Sequence, residues 1–187
     1  REQFHDLLSI DLGRHRHYAQ LLLSRFCVLL GTFSVQSFAL YYFRDALQLE
    51  APAQMVGKLM IIIGLTIMVV AYPAGLLSER WGRKGLSLLA CAITGLGMGL
   101  LAITRNTTGL LLLGCLTGIG MGIFTSVNWA WATELVPSAE AGKYLGLSNL
   151  AAAGSAAVSR LLGPFIDLAN AHLPNSGYTM LFVLAAI

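Results

Sequence analysis

Five apolar runs dominate this 187-residue chain: Leu22–Phe43, Met55–Ser78, Gly85–Thr104, Gly109–Thr133 and Gly146–Leu168. A bilayer core takes about 20 apolar residues of helix to cross, so each run matches one crossing. Hydrophobic residues make up 56% of the sequence and charged residues 11%. A soluble domain carries roughly 25% charged residues. This chain lacks the charge to cover a water-facing surface, so its outer face meets lipid. A sixth run starts at Tyr178 and reaches only Ile187. The chain also starts at Arg1, and the expectation is a fragment of a longer multi-pass protein. The segment 1–20 reads as a cytoplasmic tail or the remnant of a central loop, and 21–187 as the transmembrane bundle. The tail is polar and charged, without the apolar stretch of a cleavable signal peptide.

Charges are scarce, yet several crowd into Gly75-Leu76-Leu77-Ser78-Glu79-Arg80-Trp81-Gly82-Arg83-Lys84. This short turn joins the second and third runs, so it lies at a water interface. Lys and Arg near span ends set membrane orientation. Arg1, Arg14, Arg16, Arg25, Arg80, Arg83, Lys84 and Lys143 fall on one side, and Arg44, Lys58 and Arg105 on the other. The excess predicts that the tail and the 79–84 turn face the cytoplasm, with the chain in the plasma (inner) membrane. The net charge of +3 is then a topology signal, and no nucleic-acid partner is expected. Tyr41, Tyr42 and Phe43 are expected in an aromatic belt at the outer end of the first span.

Lipid offers no hydrophobic drive for helix association, so small residues that permit close approach matter. Gly114, Gly118 and Gly122 repeat at four-residue spacing, as do Gly95 and Gly99. Gly142, Gly146, Ala153 and Ala157 form a third stripe. All three predict tight helix packing. Pro73 and Pro164 lie inside the second and fifth spans and are expected to kink them. Cys27, Cys91 and Cys115 match no metal site and read as small hydrophobes. Asn106-Thr107-Thr108 fits a glycosylation sequon but sits in a very short turn, where it reads as turn chemistry.

The turn after the second span resembles the signature of the major facilitator superfamily between the second and third helices of each half. Gly75, Leu77, Ser78, Arg80, Gly82, Arg83 and Lys84 match it, and Glu79 stands where that pattern has Asp. The resemblance covers nearly the whole chain after Leu21. It implies an all-α membrane fold: a six-helix half built of two three-helix inverted repeats, with the last helix truncated. The tail favours the C-terminal half. In that family the turn bridges the two halves in one access state, so Gly75, Ser78, Glu79, Arg80, Gly82, Arg83 and Lys84 are the implied gating turn. Glu79 is expected to meet a nearby Arg or the end of a neighbouring helix. Val127-Asn128-Trp129, Thr133-Glu134-Leu135-Val136-Pro137 and Gly142-Lys143-Tyr144-Leu145-Gly146 are similar to the connection after the fourth helix of sugar–cation symporter-like facilitators. Gly163-Pro164 matches part of an antiporter motif, but Ile166 and Asp167 stand where its later glycines belong.

Polar side chains inside a membrane are costly, and each is a functional candidate. Arg25, Thr32 and Gln36 share one face of the first span, and Thr125 and Asn128 share one of the fourth. Asn149 and Arg160 share a face of the fifth. The candidate solute cavity is Gln36, Thr32, Asn128, Thr125, Asn149 and Arg160. Arg25 is expected to snorkel to the inner surface instead. The expected function is a secondary active transporter moving a small polar solute, led by a sugar, by alternating access. The alternatives are a non-transporting sensor or assembly protein on the same fold, or a drug or metabolite efflux carrier. Expected partners are lipid, the other six-helix half and a solute coupled to H+ or Na+. No metal box, carboxylate pair or nucleophile–base set is present, so neither an enzyme nor a cofactor is expected.

Overall fold

Six-helix packing starts from where the backbone can stay helical. The computed structural model describes residues 16–136, 140–173 and 175–186. Within them run α1 (Arg16–Tyr41), α2 (Pro52–Trp81), α3 (Arg83–Leu101), α4 (Thr107–Leu135), α5 (Ala141–Arg160), α6 (Gly163–His172) and α7 (Ser176–Ala186). A π-helical segment, Tyr42–Ala46, prolongs α1. Arg16–Ala46, Pro52–Trp81, Arg83–Leu101 and Thr107–Leu135 are each long and apolar enough to cross a membrane. The expected tail residues 1–15 and Pro137 lie outside the described residues, while residues 16–20 already belong to α1.

Local chemistry sets most helix ends. Pro52 opens α2, where its missing N–H costs nothing. Asn106 caps α4 by accepting the Gly109 N–H. Between α2 and α3 stands Gly82 alone, at φ 85°. Only glycine takes that conformation without strain, so one residue suffices to reverse the chain. The two prolines stand in different local structure. Pro73 is carried within an unbroken α2. At Gly163-Pro164 the fifth run breaks into two helices: Leu161 and Leu162 bond three residues back, and α6 begins afresh. Pro164 has no N–H to give α5 and fits the first turn of a new helix.

α4 is the keel of the bundle. A Cβ on Gly118 would stand 2.8 Å from Thr66 Cβ and 3.1 Å from the Ile63 carbonyl oxygen of α2. On its other side, a Cβ on Gly120 would stand 2.7 Å from the Thr94 nitrogen of α3. The glycines thus let α2 and α3 close on α4 to backbone contact. α1 packs against α5 and α7, and α7 against α3.

Two buried clusters stand at opposite ends. One joins Tyr42, Phe43, Met55, Leu110, Tyr178 and Phe182. The other joins Tyr18, Leu21, Ala132 and Tyr144. The expected aromatic belt is corrected here: Tyr42 and Phe43 are buried, and only Tyr41 is exposed. The π-helical turn rotates Tyr42 inward onto Phe182, with ring centroids 4.8 Å apart.

Candidate functional site

Two sites emerge, one between the helices and one at the α2–α3 turn. The first is a cavity of about 240 Å³ bounded by α1, α2, α3, α4 and α7. Its walls are apolar, with Met60, Met98 and Met121 from three different helices. Thioether side chains are flexible and polarisable, and they adapt to irregular shapes. Thr32, Gln36 and Thr117 are the polar groups of the lining. Thr32 Oγ1 donates to the Val28 carbonyl at 2.8 Å, and Gln36 Nε2 donates to Met60 Sδ at 3.2 Å. The Thr117 hydroxyl is buried with no hydrogen-bond partner among the described residues.

Of the six cavity candidates, only Thr32 and Gln36 stand in these walls. Thr125 returns its hydroxyl to the Met121 carbonyl at 2.7 Å. Asn149 and Arg160 are exposed on α5, away from the lining. Asn128 is fully buried and holds Arg25: Arg25 Nη1 donates to Asn128 Oδ1 at 2.7 Å. The guanidinium also lies 4.5 Å from the Trp129 ring centroid.

Arg25 therefore does not snorkel; it is 7% exposed. A buried lone cation costs several kcal/mol. One hydrogen bond to a charged group returns about 1.5–3 kcal/mol, and a desolvated cation–π contact about 2 kcal/mol. Among the described residues no carboxylate pairs with it. Its Nε and the Asn128 Nδ2 are buried donors without an acceptor among the described residues.

The second site is the turn. Ser78 is buried and donates to the Gly75 carbonyl at 2.7 Å. Gly75 faces Ser126 of α4, whose hydroxyl a Cβ would meet at 3.2 Å. Arg83 opens α3, where the helix dipole disfavours a cation. α4 offsets this: Glu134 Oε2 lies 2.9 Å from Arg83 Nη1, and the Ala130 carbonyl accepts from the same nitrogen. The side chains of the pair are 25% and 61% exposed, so their bond contributes about 0–1 kcal/mol. Glu79 and Arg80 are exposed, and among the described residues no cation meets Glu79. The carboxylate that meets the turn is Glu134, which the sequence had presented only as part of a connection. Ser78, Glu79, Gly82, Arg83, Lys84, Trp131 and Glu134 surround one polar cleft.

A tight bundle of long apolar helices joined by a charged hairpin is the architecture of a multi-pass integral membrane protein. The sequence profile of the Major Facilitator Superfamily matches residues 21–187. The chain belongs to that superfamily, a family of transporters rather than enzymes. It is 28% identical over 167 residues to the multidrug resistance protein MdtH of Proteus mirabilis (strain HI4320), covering 89% of this chain and 41% of that protein. It is 28% identical over 116 residues to the MFS-type transporter criB of Aspergillus cristatus, covering 62% of this chain and 25% of that protein. The crystal structure of tetrameric PepTSo2 superposes with a TM-score of 0.80 at 20% identity, over 92% of this chain and 37% of that one. That likeness establishes the fold, a six-helix half of the superfamily. The chain spans between a quarter and two fifths of these proteins.

Proposed function

We propose that this chain is one half of a secondary carrier that moves a small amphipathic solute by alternating access. The cavity between α1 and α4 carries this reading. Three polar groups among methionines, phenylalanines and aliphatic side chains suit a solute with an apolar body and few polar atoms. A sugar needs a hydrogen-bond partner for most of its hydroxyls, since unpaired buried polar groups are costly. Drug or metabolite efflux therefore stands ahead of sugar transport. The likeness to a multidrug resistance protein supports the same order.

The 75–84 turn faces the cytoplasm in this reading and works as a latch with Glu134. The Arg83–Glu134 bond ties the start of α3 to the end of α4 and leaves Glu79 exposed for a partner in the other half. A weak, exposed ion pair suits a contact that forms and breaks in each cycle.

Full-length protein in proteoliposomes should take up a neutral aromatic dye saturably, without competition from sugars. Met121→Trp, which fills the cavity, should abolish uptake, and Glu79→Ala and Arg83→Ala should each slow it. Dye uptake unchanged by Met121→Trp would remove the cavity from the path. Sugar competition would restore the sugar reading. No transport across a broad solute panel would favour a sensor or assembly protein.

A further inference from the structure

Arg25 carries a charge that neither the packing nor the latch uses. It lies seven residues, two helical turns, from Thr32 on the same face of α1. Asn128 lies the same distance from Met121 on α4. The pair stands outside the lining itself, two turns beyond lining residues on each helix, and its 2.7 Å contact joins α1 to α4 there.

The unmet valences of this pair define what it lacks. Arg25 Nε and Asn128 Nδ2 are both donors, both buried and both without an acceptor among the described residues. Buried polar groups in native proteins find partners. Two donors on touching side chains, one of them a permanent cation, match an oxyanion: two oxygens satisfy both and the charge is neutralised. Trp129 lies against the guanidinium and is itself 37% exposed.

We infer that Arg25 and Asn128 are specificity-determining residues that select solutes bearing a carboxylate, with the apolar body in the methionine-lined cavity and the carboxylate on Arg25. The inference rests on the carrier reading above and adds the charge of the solute to it.

The test compares three probes in proteoliposomes of the full-length protein: an aryl carboxylate, its methyl ester and the corresponding aryl amine. The carboxylate should be preferred over the ester by about tenfold, the size of one charge-assisted hydrogen bond. The amine should be excluded. Asn128→Asp supplies an internal counter-charge and should erase the preference while ester transport continues. Arg25→Lys should keep the sign of the preference and reduce its size; Arg25→Gln should remove it. Folding of each variant is read separately, from a single gel-filtration peak of the purified full-length protein, and an undiminished carboxylate preference in Arg25→Gln overturns the inference. Equal transport of the three probes by the unmodified protein, or an undiminished preference in Asn128→Asp, overturns the inference and leaves the carrier reading standing. Transport of none of the three overturns both.

Discussion

α4 and α5 are written in the same alphabet and used in opposite ways. α4 repeats Gly114, Gly118 and Gly122; α5 repeats Gly142 and Gly146 and goes on in Ala and Ser. Every glycine of the α4 stripe has a neighbour against its missing Cβ: Leu59, Thr66, Ile67 or Val70 of α2. The two glycines of the α5 stripe face open space within this chain. α5 instead turns its serines inward. Ser148, Ser155 and Ser159 are fully buried, and Ser148 shares a 2.7 Å bond with Tyr18 of α1. A small-residue stripe thus announces that a helix permits close approach, and the partner decides whether the permission is used.

This contrast can be broken at three positions. Asn128→Leu on α4 should have the largest effect, because it strips a buried cation of its hydrogen bond. About 1.5–3 kcal/mol should be lost, read as a clear fall in the melting temperature of the purified full-length protein. An unchanged melting temperature would mean that Arg25 reaches water or another acceptor. Gly120→Ala should follow, at about 1–3 kcal/mol of overpacking, because the new methyl group meets backbone atoms of α3 that cannot step aside. Gly146→Ala on α5 should be smallest, between no change and a gain of about 1 kcal/mol from helix propensity. A loss at Gly146 would show that a segment outside this chain covers the α5 stripe, and the contrast would then hold only within this half.

The two helices also show what a sequence of this kind makes legible. Four long apolar helices and the reversal at Gly82 were readable because both are patterns along the chain: apolar length and a glycine between two helices. The contact of Arg25 with Asn128 was not, because it joins residues 103 positions apart, and a lone Arg near a span end reads equally as a snorkelling one. Glu134 was hidden for the same reason, since its value depends on α4 ending beside the start of α3. The fold of the fifth run was half readable. Pro164 marked a disturbance, but whether a helix bends or restarts there depends on the backbone bonds around Leu161 and Leu162. Tyr42 and Phe43 misled because an aromatic cluster at a span end is usual for a headgroup belt, whereas a π-helical turn swings these two into the core. Among the cavity candidates, polarity and a shared helical face chose six residues; the walls that the helices build are mostly methionine, phenylalanine and aliphatic, with Thr32 and Gln36 as their share of that set.

The central claim is that the cavity beside Gln36 is the solute's path and that its exposure changes during a cycle controlled by the turn. It can be tested by placing a single cysteine at Gln36 in full-length protein whose Cys27, Cys91 and Cys115 have been replaced, and measuring its alkylation by a membrane-impermeant maleimide in oriented proteoliposomes. The account predicts that saturating solute slows the reaction and that Arg83→Ala changes which face of the membrane the reagent must approach from. A labelling rate that ignores both the solute and the turn would contradict it.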